Sequence, residues 1–193
     1  MYQEYIDDVI EQMDKDKTGI NIYRNNYLAL ELLLVNSKWT QKKIRSDYRE
    51  LQEGGYLKEF CTIRMTGPRR SGHSHNIIEL AMKHFDNAVF ISPTKDISDR
   101  LFDLMRCYYC YCNSDGIKNQ NKKRGTIKMT SGSLYRFINI FQKYKLKNIE
   151  TEAIFVDGFV VMENNFKEKI DDIYNIGSVC MANNPYKFFI FVG

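Results

Sequence analysis

The sequence predicts an α/β fold: a mostly parallel sheet sandwiched by helices, preceded by an N-terminal helical region. Short apolar runs typical of buried strands recur through residues 59–193, and segments with apolar residues at helical spacing separate them. This alternation indicates a parallel sheet covered by helices. The predicted strands are 61–65, 88–92, 126–130, 153–156 and 188–192.

The N-terminal region, residues 1–58, is predicted to hold three helices. Apolar spacing indicates the first two at 1–15 and 24–36, and Thr40 is expected to cap a third that ends at the pair Gly54-Gly55. In the core, residues 59–193, the predicted helices are 77–85, a segment capped by Asp96 or Ser98, 134–144 and 167–176.

The composition is that of a soluble globular protein, with 44% apolar and 27% charged residues in a chain of 193, enough for one well-packed domain. No apolar run approaches the ~20 residues that span a bilayer, and residues 1–17 are too charged for a secretory signal. Five cysteines, an odd number, indicate reduced thiols. We therefore expect a cytoplasmic protein with no membrane partner. The net charge of +4 allows nucleic-acid binding without requiring it.

A glycine-bearing turn, residues 66–75, joins the first core strand to the first core helix, as a phosphate-binding loop does. Gly67 and Gly72 have the spacing of the pattern G-x-x-x-x-G-K-[ST], and Ser74 has the position of the hydroxyl that ligates Mg²⁺. His73 stands where the lysine belongs, and imidazole is shorter and mostly neutral at pH 7. Backbone N–H groups can still hold phosphate. The predicted nucleotide-binding residues of this turn are Gly67, Arg69, Arg70, Ser71, Gly72, His73, Ser74 and His75.

The segment 39–57 supports three interpretations, which the sequence leaves open. In the first, Gln41 binds nucleotide by pairing with an adenine edge, and Trp39 or Tyr48 supplies an apolar wall. In the second, the segment is the recognition helix of a winged helix-turn-helix, with the cations Lys42, Lys43 and Arg45. In the third, it is a helical cap over the sheet.

Two metal patterns are weak. Residues 14–25 resemble the start of a calcium loop, but Asn25 stands where a bidentate glutamate belongs, so a plain turn is predicted. Three cysteines within 107–112 are spaced for thiolate ligation, yet tetrahedral zinc needs a fourth ligand, which His84 or Cys180 could supply only through the fold. We therefore predict half-buried free thiols and no zinc.

Residues 113–124 are the clearest predicted loop, because they are almost wholly polar. One interpretation is a solvated surface loop, and the other is a flexible basic finger on the phosphates of a nucleic acid. In the second case the nucleic-acid contacts are Lys118, Lys122, Lys123 and Arg124.

An apolar strand ends at Asp157, which predicts a carboxylate beside the phosphate loop at the edge of the sheet where Mg²⁺ is handled. Ser74 and Asp157 are therefore the predicted Mg²⁺ residues. In ATPases of the helicase and packaging type a glutamate follows the aspartate and activates water. Here Gly158 follows, and Glu163 is the nearest carboxylate downstream.

Four segments together resemble the ATPase core of phage large terminases, the DNA-packaging motors, and more loosely superfamily 2 helicase-type ATPases. They are Trp39-Thr40-Gln41, Gly67 to Ser74, Met129 to Ser133, and Ile154 to Asn164. The resemblance implies a P-loop NTPase-like core that binds ATP and Mg²⁺, acts on DNA, and comes from a phage or mobile element. Host cytoplasm would then be its location.

The substitutions at positions 73 and 158 remove groups that serve hydrolysis more than binding. The first hypothesis is accordingly a degenerate P-loop domain that binds nucleotide weakly or not at all and acts by binding nucleic acid or a viral or host protein. The second is an active ATPase in DNA packaging or remodelling, with Asp157, Glu163 and Arg70 (or Arg69) as its catalytic residues, and with His75 at the surface. The third is a winged-helix DNA-binding regulator that dimerises through its α/β part, and a homo-oligomer is compatible with all three.

Overall fold

The computed structural model describes residues 22–47, 53–66, 72–112, 116–146, 149–158 and 167–193. The helices are α1 (Ile22–Asp47), α2 (Glu53–Phe60), α3 (His73–His84), α4 (Lys95–Cys112), a 3₁₀ helix (Ile140–Leu146) and α5 (Lys167–Cys180). The strands are β1 (Thr62–Met65), β2 (Asn87–Ser92), β3 (Ile117–Asn121), β4 (Thr126–Met129), β5 (Leu134–Asn139), β6 (Ala153–Asp157) and β7 (Phe188–Val192).

The seven described strands form one sheet in the order β1-β7-β6-β2-β5-β4-β3. Neighbours from β1 through β5 are parallel, and β4 and β3 extend the sheet as an antiparallel hairpin. This confirms the predicted α/β fold with its mostly parallel sheet. Because the parallel strands point one way, the residues that follow them gather at one edge, here called the carboxyl edge, and the residues that precede them gather at the amino edge.

Helices cover both faces of the sheet, as predicted. On one face Phe90, Phe137 and Phe155 stack with ring centroids 4.9 and 5.0 Å apart, in a core shared with α1, α3 and α4. On the other face Val89 and Ile154 pack in a core shared with α2, α5 and the 3₁₀ helix. Fully burying each such side chain stabilises the fold by roughly 1.5–3 kcal/mol, so the two cores fix the strand order. None of the described helices has the length and apolar character needed to cross a bilayer.

The prediction of a third helix capped by Thr40 is wrong. α1 runs without interruption from Ile22 to Asp47, so Thr40 lies inside a helix. Residues 24–47 contain neither proline nor glycine, and Leu30 and Leu34 are fully buried. Packing of this face therefore outweighs the preference of threonine for a cap. The predicted turn at 14–25 and the first predicted helix lie outside the described residues, apart from the last positions of that turn, which lie in α1.

The described part of the chain does not contain the turn and the wing strand that the winged-helix interpretation expects after residue 53. Gly55 lies within α2 instead of in a turn after a recognition helix. β1, the strand that would form the wing, pairs in parallel with β7 inside the main sheet. α1 itself packs against α3 and β1.

Two predictions between residues 113 and 144 are also wrong. The predicted loop contains the edge strand β3, and the predicted helix 134–144 is strand β5 followed by the 3₁₀ helix. A short apolar segment fits a helix and a buried strand equally well, and pairing of β5 with β2 and β4 decides for the strand. β3 has no apolar pattern because four of its five residues are exposed at the edge of the sheet.

Candidate functional site

The structure brings Ser74 and Asp157 into direct contact at the carboxyl edge. β6 ends at Asp157, and α3 begins one residue before Ser74. Although β7 lies between β1 and β6, the first turn of α3 reaches across it, and the Ser74 hydroxyl donates to Asp157 Oδ2 at 2.9 Å. A hydroxyl and a carboxylate are oxygen ligands of the kind that Mg²⁺ prefers. The two residues that the sequence singled out for Mg²⁺ thus face each other.

Gly72 forms the turn into α3. Its φ of 79° lies in the left-handed region, which glycine adopts without a steric penalty. This conformation lets the chain turn sharply so that α3 starts at His73, with the N–H groups of its first turn directed back toward the carboxyl edge. The glycine therefore serves the turn that a phosphate loop requires.

His73 lies buried on the first turn of α3, with 9% of its surface exposed. Burial lowers the pKa of its imidazole, and the negative charge of Asp157 opposes this only in part. His73 is therefore neutral at pH 7. The position that would carry a lysine charge in an active phosphate loop carries none here.

Asp157 is a buried carboxyl group at the end of its strand. Burial raises its pKa, while the Ser74 hydroxyl, the backbone N–H of Gly158 and the nearby His73 oppose that rise. A carboxylate held this way is unfavourable when it stands alone, and a bound cation would stabilise it. A buried carboxyl group with a perturbed pKa differs in this respect from a surface ion-pair partner, and it is a candidate functional residue.

Gly158 follows Asp157, and its backbone disfavours any residue with a side chain. Its φ is 76°, a conformation that residues with a side chain rarely adopt. A Cβ atom built there would lie 3.1 Å from Cγ and 3.2 Å from Cδ of Pro93, whose ring is rigid. A glutamate at position 158 would therefore be strained.

A cavity of about 260 Å³ opens beside this pair. Its walls are Ser74, Asp157 and Gly158 on one side and, from α4, Ile97, Arg100, Leu101 and Leu104 on the other. Since pockets for drug-sized ligands start at about 300 Å³, this cavity suits a phosphate and a metal ion better than a whole nucleotide. Arg100 was not among the residues predicted from the sequence. The feature of the sequence that could have indicated Arg100 is its place in the helix that follows β2, because β2 adjoins β6 in the sheet.

Gln41 is not brought to this site. It lies at the amino edge, where its side chain is 1% exposed and bonded to the backbone just before β7. Gln41 Nε2 donates to the Lys187 carbonyl at 2.8 Å, and Gln41 Oε1 accepts from the Lys187 N–H at 3.0 Å. Both amide functions are therefore engaged in joining α1 to the sheet. Trp39 is half exposed with Lys43 over its ring, and Tyr48 lies outside the described residues.

His75 is exposed on the first turn of α3, and its ring contacts that of Tyr108 edge-on, with the centroids 5.2 Å apart. Gly67, Arg69, Arg70 and Ser71 of the loop, and the candidate base Glu163, lie outside the described residues. Their roles stay predictions.

The four predicted nucleic-acid contacts lie on a hairpin at the far end of the sheet from β1. Lys118 is in β3, and Lys122, Lys123 and Arg124 form the turn to β4; all four are exposed. The turn has its own hydrogen bonds: the N–H of Arg124 donates to the carbonyl of Asn121 and to its side-chain oxygen, and Lys122 forms an ion pair with Asp103 at 2.6 Å. The predicted loop is thus a strand and a hydrogen-bonded turn, and its contact with nucleic acid stays a prediction.

No three His, Cys, Asp or Glu side chains in the described part of the chain come together as a metal cluster would. Cys107 is exposed, and Cys180 is buried with its thiol donating to the Leu146 carbonyl at 3.3 Å. His84 bonds to Glu31 at the amino edge. The side chains of Cys110 and Cys112 lie outside the description.

Comparison with solved structures finds similarity to phage large terminases. The large terminase of a thermophilic bacteriophage matches with a TM-score of 0.52 at 13% identity, covering 79% of this chain and 38% of that one. The complex of that terminase with ADP gives a TM-score of 0.47 at 16% identity, covering 79% and 37%. The ATPase domain of the Thermus phage P74-26 large terminase gives 0.41 at 12% identity, covering 75% and 65%.

No family model and no curated protein matches the sequence. The likeness to the first of these terminases shows a terminase-like fold, which confirms the resemblance predicted from the four segments. The chain spans 38% of the length of that protein.

Proposed function

We propose that this protein is a terminase-like P-loop domain that holds the phosphates of a nucleotide, with Mg²⁺, at Ser74 and Asp157, and that it acts by binding a partner instead of hydrolysing ATP. The observation that carries the proposal is the contact of 2.9 Å between the two oxygen ligands, next to a neutral histidine and a glycine where catalytic groups belong.

Phosphate and metal binding need only parts that the chain retains. The Ser74 hydroxyl and the Asp157 carboxylate would hold Mg²⁺, directly or through its water shell, and the first turn of α3 offers backbone N–H groups to phosphate oxygens. When bound, Mg²⁺ neutralises phosphate charge. Asp157 also gains from it, because a cation offsets the unfavourable burial of its carboxylate.

Hydrolysis needs parts that the chain lacks. A neutral His73 adds no charge to the γ-phosphate as its bonds rearrange, and Gly158 can neither orient nor deprotonate water. By analogy with lost donors in other active sites, each absence lowers kcat by about 10²–10³-fold. Active hydrolysis, the alternative function, would require Arg69 or Arg70 to supply the charge and Glu163 to act as the base.

The partner is proposed to be a nucleic acid, DNA in the first place, bound through the basic hairpin. Lys118 of β3 and Lys123 and Arg124 of the turn are exposed on one hairpin, and backbone phosphates attract such cations without regard to sequence. A viral or host protein is the other candidate, and DNA titration separates the two.

The test is calorimetric titration of the protein with Mg²⁺–ATP and with a non-hydrolysable analogue. We expect micromolar to submillimolar binding of both, lost in Ser74→Ala and Asp157→Ala. The matched control is Ser178→Ala, an exposed serine on α5 that bonds only to its own helix. Failure of the natural protein to bind at millimolar nucleotide would reject the proposal.

A further inference from the structure

Arg100 faces the same cavity as Ser74 and Asp157, from the opposite wall. It lies on α4, which follows β2, and β2 adjoins β6 in the sheet. The rest of that wall is apolar, formed by Ile97, Leu101 and Leu104. Among the described side chains that line the cavity Arg100 is the one cation, and it lies across the cavity from the Asp157 carboxylate.

Two of the three acidic residues of α4, Asp99 and Asp103, form ion pairs with other cations; the third, Asp96, lies in the first turn of the helix. Asp99 forms an ion pair with Lys95 at 2.6 Å, and Asp103 forms one with Lys122 at 2.6 Å and a longer one with Arg106 at 3.9 Å. None of the ion pairs or hydrogen bonds found among the described residues uses Arg100. Its charge is therefore available to an anion that enters the cavity.

Asp157 does not form an ion pair with Arg100 either. Its carboxylate accepts hydrogen bonds from the Ser74 hydroxyl and from the backbone N–H of Gly158, and no ion pair found among the described residues joins it to Arg100. The cavity thus separates a carboxylate from a guanidinium. A metal ion on the carboxylate and a phosphate between the metal and the guanidinium would complement both walls.

We infer that Arg100 binds the terminal phosphates of the nucleotide and supplies the positive charge that the loop lost at position 73. The inference rests on the proposed function and names the ligand's phosphate tail as what enters the cavity. A guanidinium suits this role because its planar fork can bond two phosphate oxygens at once and stays charged at any working pH. The site therefore selects ligands with two or three phosphates over a monophosphate.

The experiment compares calorimetric titrations of the natural protein, Arg100→Ala and Arg100→Lys with Mg²⁺–ATP, AMP and inorganic tripolyphosphate. We expect Arg100→Ala to weaken ATP and tripolyphosphate about 10- to 100-fold, the range of one hydrogen bond to a charged group, and to change AMP little. Arg100→Lys should recover part of the loss. The matched control is Arg106→Ala, on the same helix, half exposed, and outside the cavity lining.

Because Arg100 is exposed, its variants should keep the fold, which thermal unfolding of each variant checks. If the natural protein binds ATP and Arg100→Ala binds it equally, the role of Arg100 is refuted and the proposed function stands. An equal loss for AMP and ATP would also refute it, because the contact would then not be to the terminal phosphates. If the natural protein binds neither ATP nor tripolyphosphate, both proposals fail.

Discussion

The Ser74 hydroxyl donates to the Asp157 carboxylate at 2.9 Å, although the two residues are 83 positions apart in the sequence. Strand β7 lies between β1, which precedes the helix of Ser74, and β6, which ends at Asp157. Two oxygen ligands of the kind Mg²⁺ uses are therefore already adjacent, and little rearrangement is needed to bind it. The same contact partly stabilises a carboxylate that burial makes unfavourable.

Asp157→Asn should stabilise the protein without ligand while abolishing its response to nucleotide. Burial raises the pKa of Asp157, so the ionised group opposes folding near neutral pH, and a neutral amide removes that cost. We expect a gain on the order of 1 kcal/mol in the free energy of unfolding, measured by urea denaturation with and without Mg²⁺–ATP. Asp171→Asn, at an exposed ion pair with Lys58, should change little. A destabilised Asp157→Asn would show that the carboxylate is structural.

His73→Lys should restore the missing charge of the loop. One charged hydrogen bond contributes about 1.5–3 kcal/mol, so Mg²⁺–ATP should bind at least tenfold more tightly by calorimetry. Phosphate release should stay near background, because Gly158 still excludes the glutamate. His75→Lys is the matched control, since His75 lies exposed two residues further on the same turn. Equal tightening in both variants would indicate general electrostatics instead of a defined contact.

Acid should destabilise the fold through a cluster at the amino edge. His84 bonds to Glu31 at 2.7 Å, and burial lowers the pKa of His84 below its ordinary 6.5 despite that bond. Burial alone would raise the pKa of Glu31, but its hydrogen bonds to Lys83 and His84 and their charges lower it below 4.5. The folded state therefore binds fewer protons than the unfolded state, so its stability is complete above these values and declines as pH falls.

The measurement is the free energy of unfolding as a function of pH. It should fall once the pH drops below about 6.5, and fall again below about 4.5. His73, whose pKa is also lowered, contributes in the first window, so the double variant His73→Gln, His84→Gln should flatten that decline. Asp157, whose pKa is raised, acts in the opposite direction at lower pH. A stability that rises on going from pH 7 to pH 5 would contradict this account.

Two glycines in helices should respond to alanine in opposite ways. A Cβ at Gly177 of α5 would lie 2.6 Å from Cζ of Phe189 and 2.8 Å from Cδ1 of Ile154, so Gly177→Ala should lower the free energy of unfolding by about 1–3 kcal/mol. A Cβ at Gly55 of α2 meets nothing within 4 Å, and Gly55→Ala should stabilise by roughly 0.5–1 kcal/mol. Chemical denaturation measures the free energy of unfolding of both variants. A change in the same direction for both would contradict the packing of these two helices described above.

Charge reversal on the hairpin should weaken DNA binding. Changing Lys118, Lys123 and Arg124 together to Glu should lower the affinity for duplex DNA. The slope of log affinity against log salt should become shallower by close to one unit for each phosphate that the variant no longer binds. Fluorescence anisotropy across a salt series measures both. Lys42→Glu with Lys43→Glu, on α1, is the comparison: a greater effect there would move the interface to α1 and revive the recognition-helix hypothesis.

The sequence was sufficient for the parallel core and for the Ser74–Asp157 pair. Buried parallel strands are continuous apolar runs, and both residues follow such runs in the order that a phosphate site requires. It was insufficient where a tertiary contact decides the outcome. β5 is a strand because β2 and β4 flank it, and Thr40 lies within a helix because α1 buries one face.

Gln41, which lies away from the site, and Arg100, which lines its cavity, show the same limit of sequence-based prediction. The sequence cannot distinguish a glutamine that pairs with an adenine from one that, like Gln41, bonds to the backbone of Lys187, 146 residues away. In the sequence Arg100 is one cation among many. Only the fold shows that it lines the same cavity as Asp157. Neither spacing nor composition carries that information.

The most direct test of the central claim measures bound nucleotide and released phosphate in one sample, with the natural protein, Mg²⁺ and γ-labelled ATP. We predict bound ATP in proportion to protein, lost in Asp157→Ala, and phosphate release no faster than in that variant. Release that is well above the variant's and saturates with ATP would contradict the claim and identify the protein as an active ATPase.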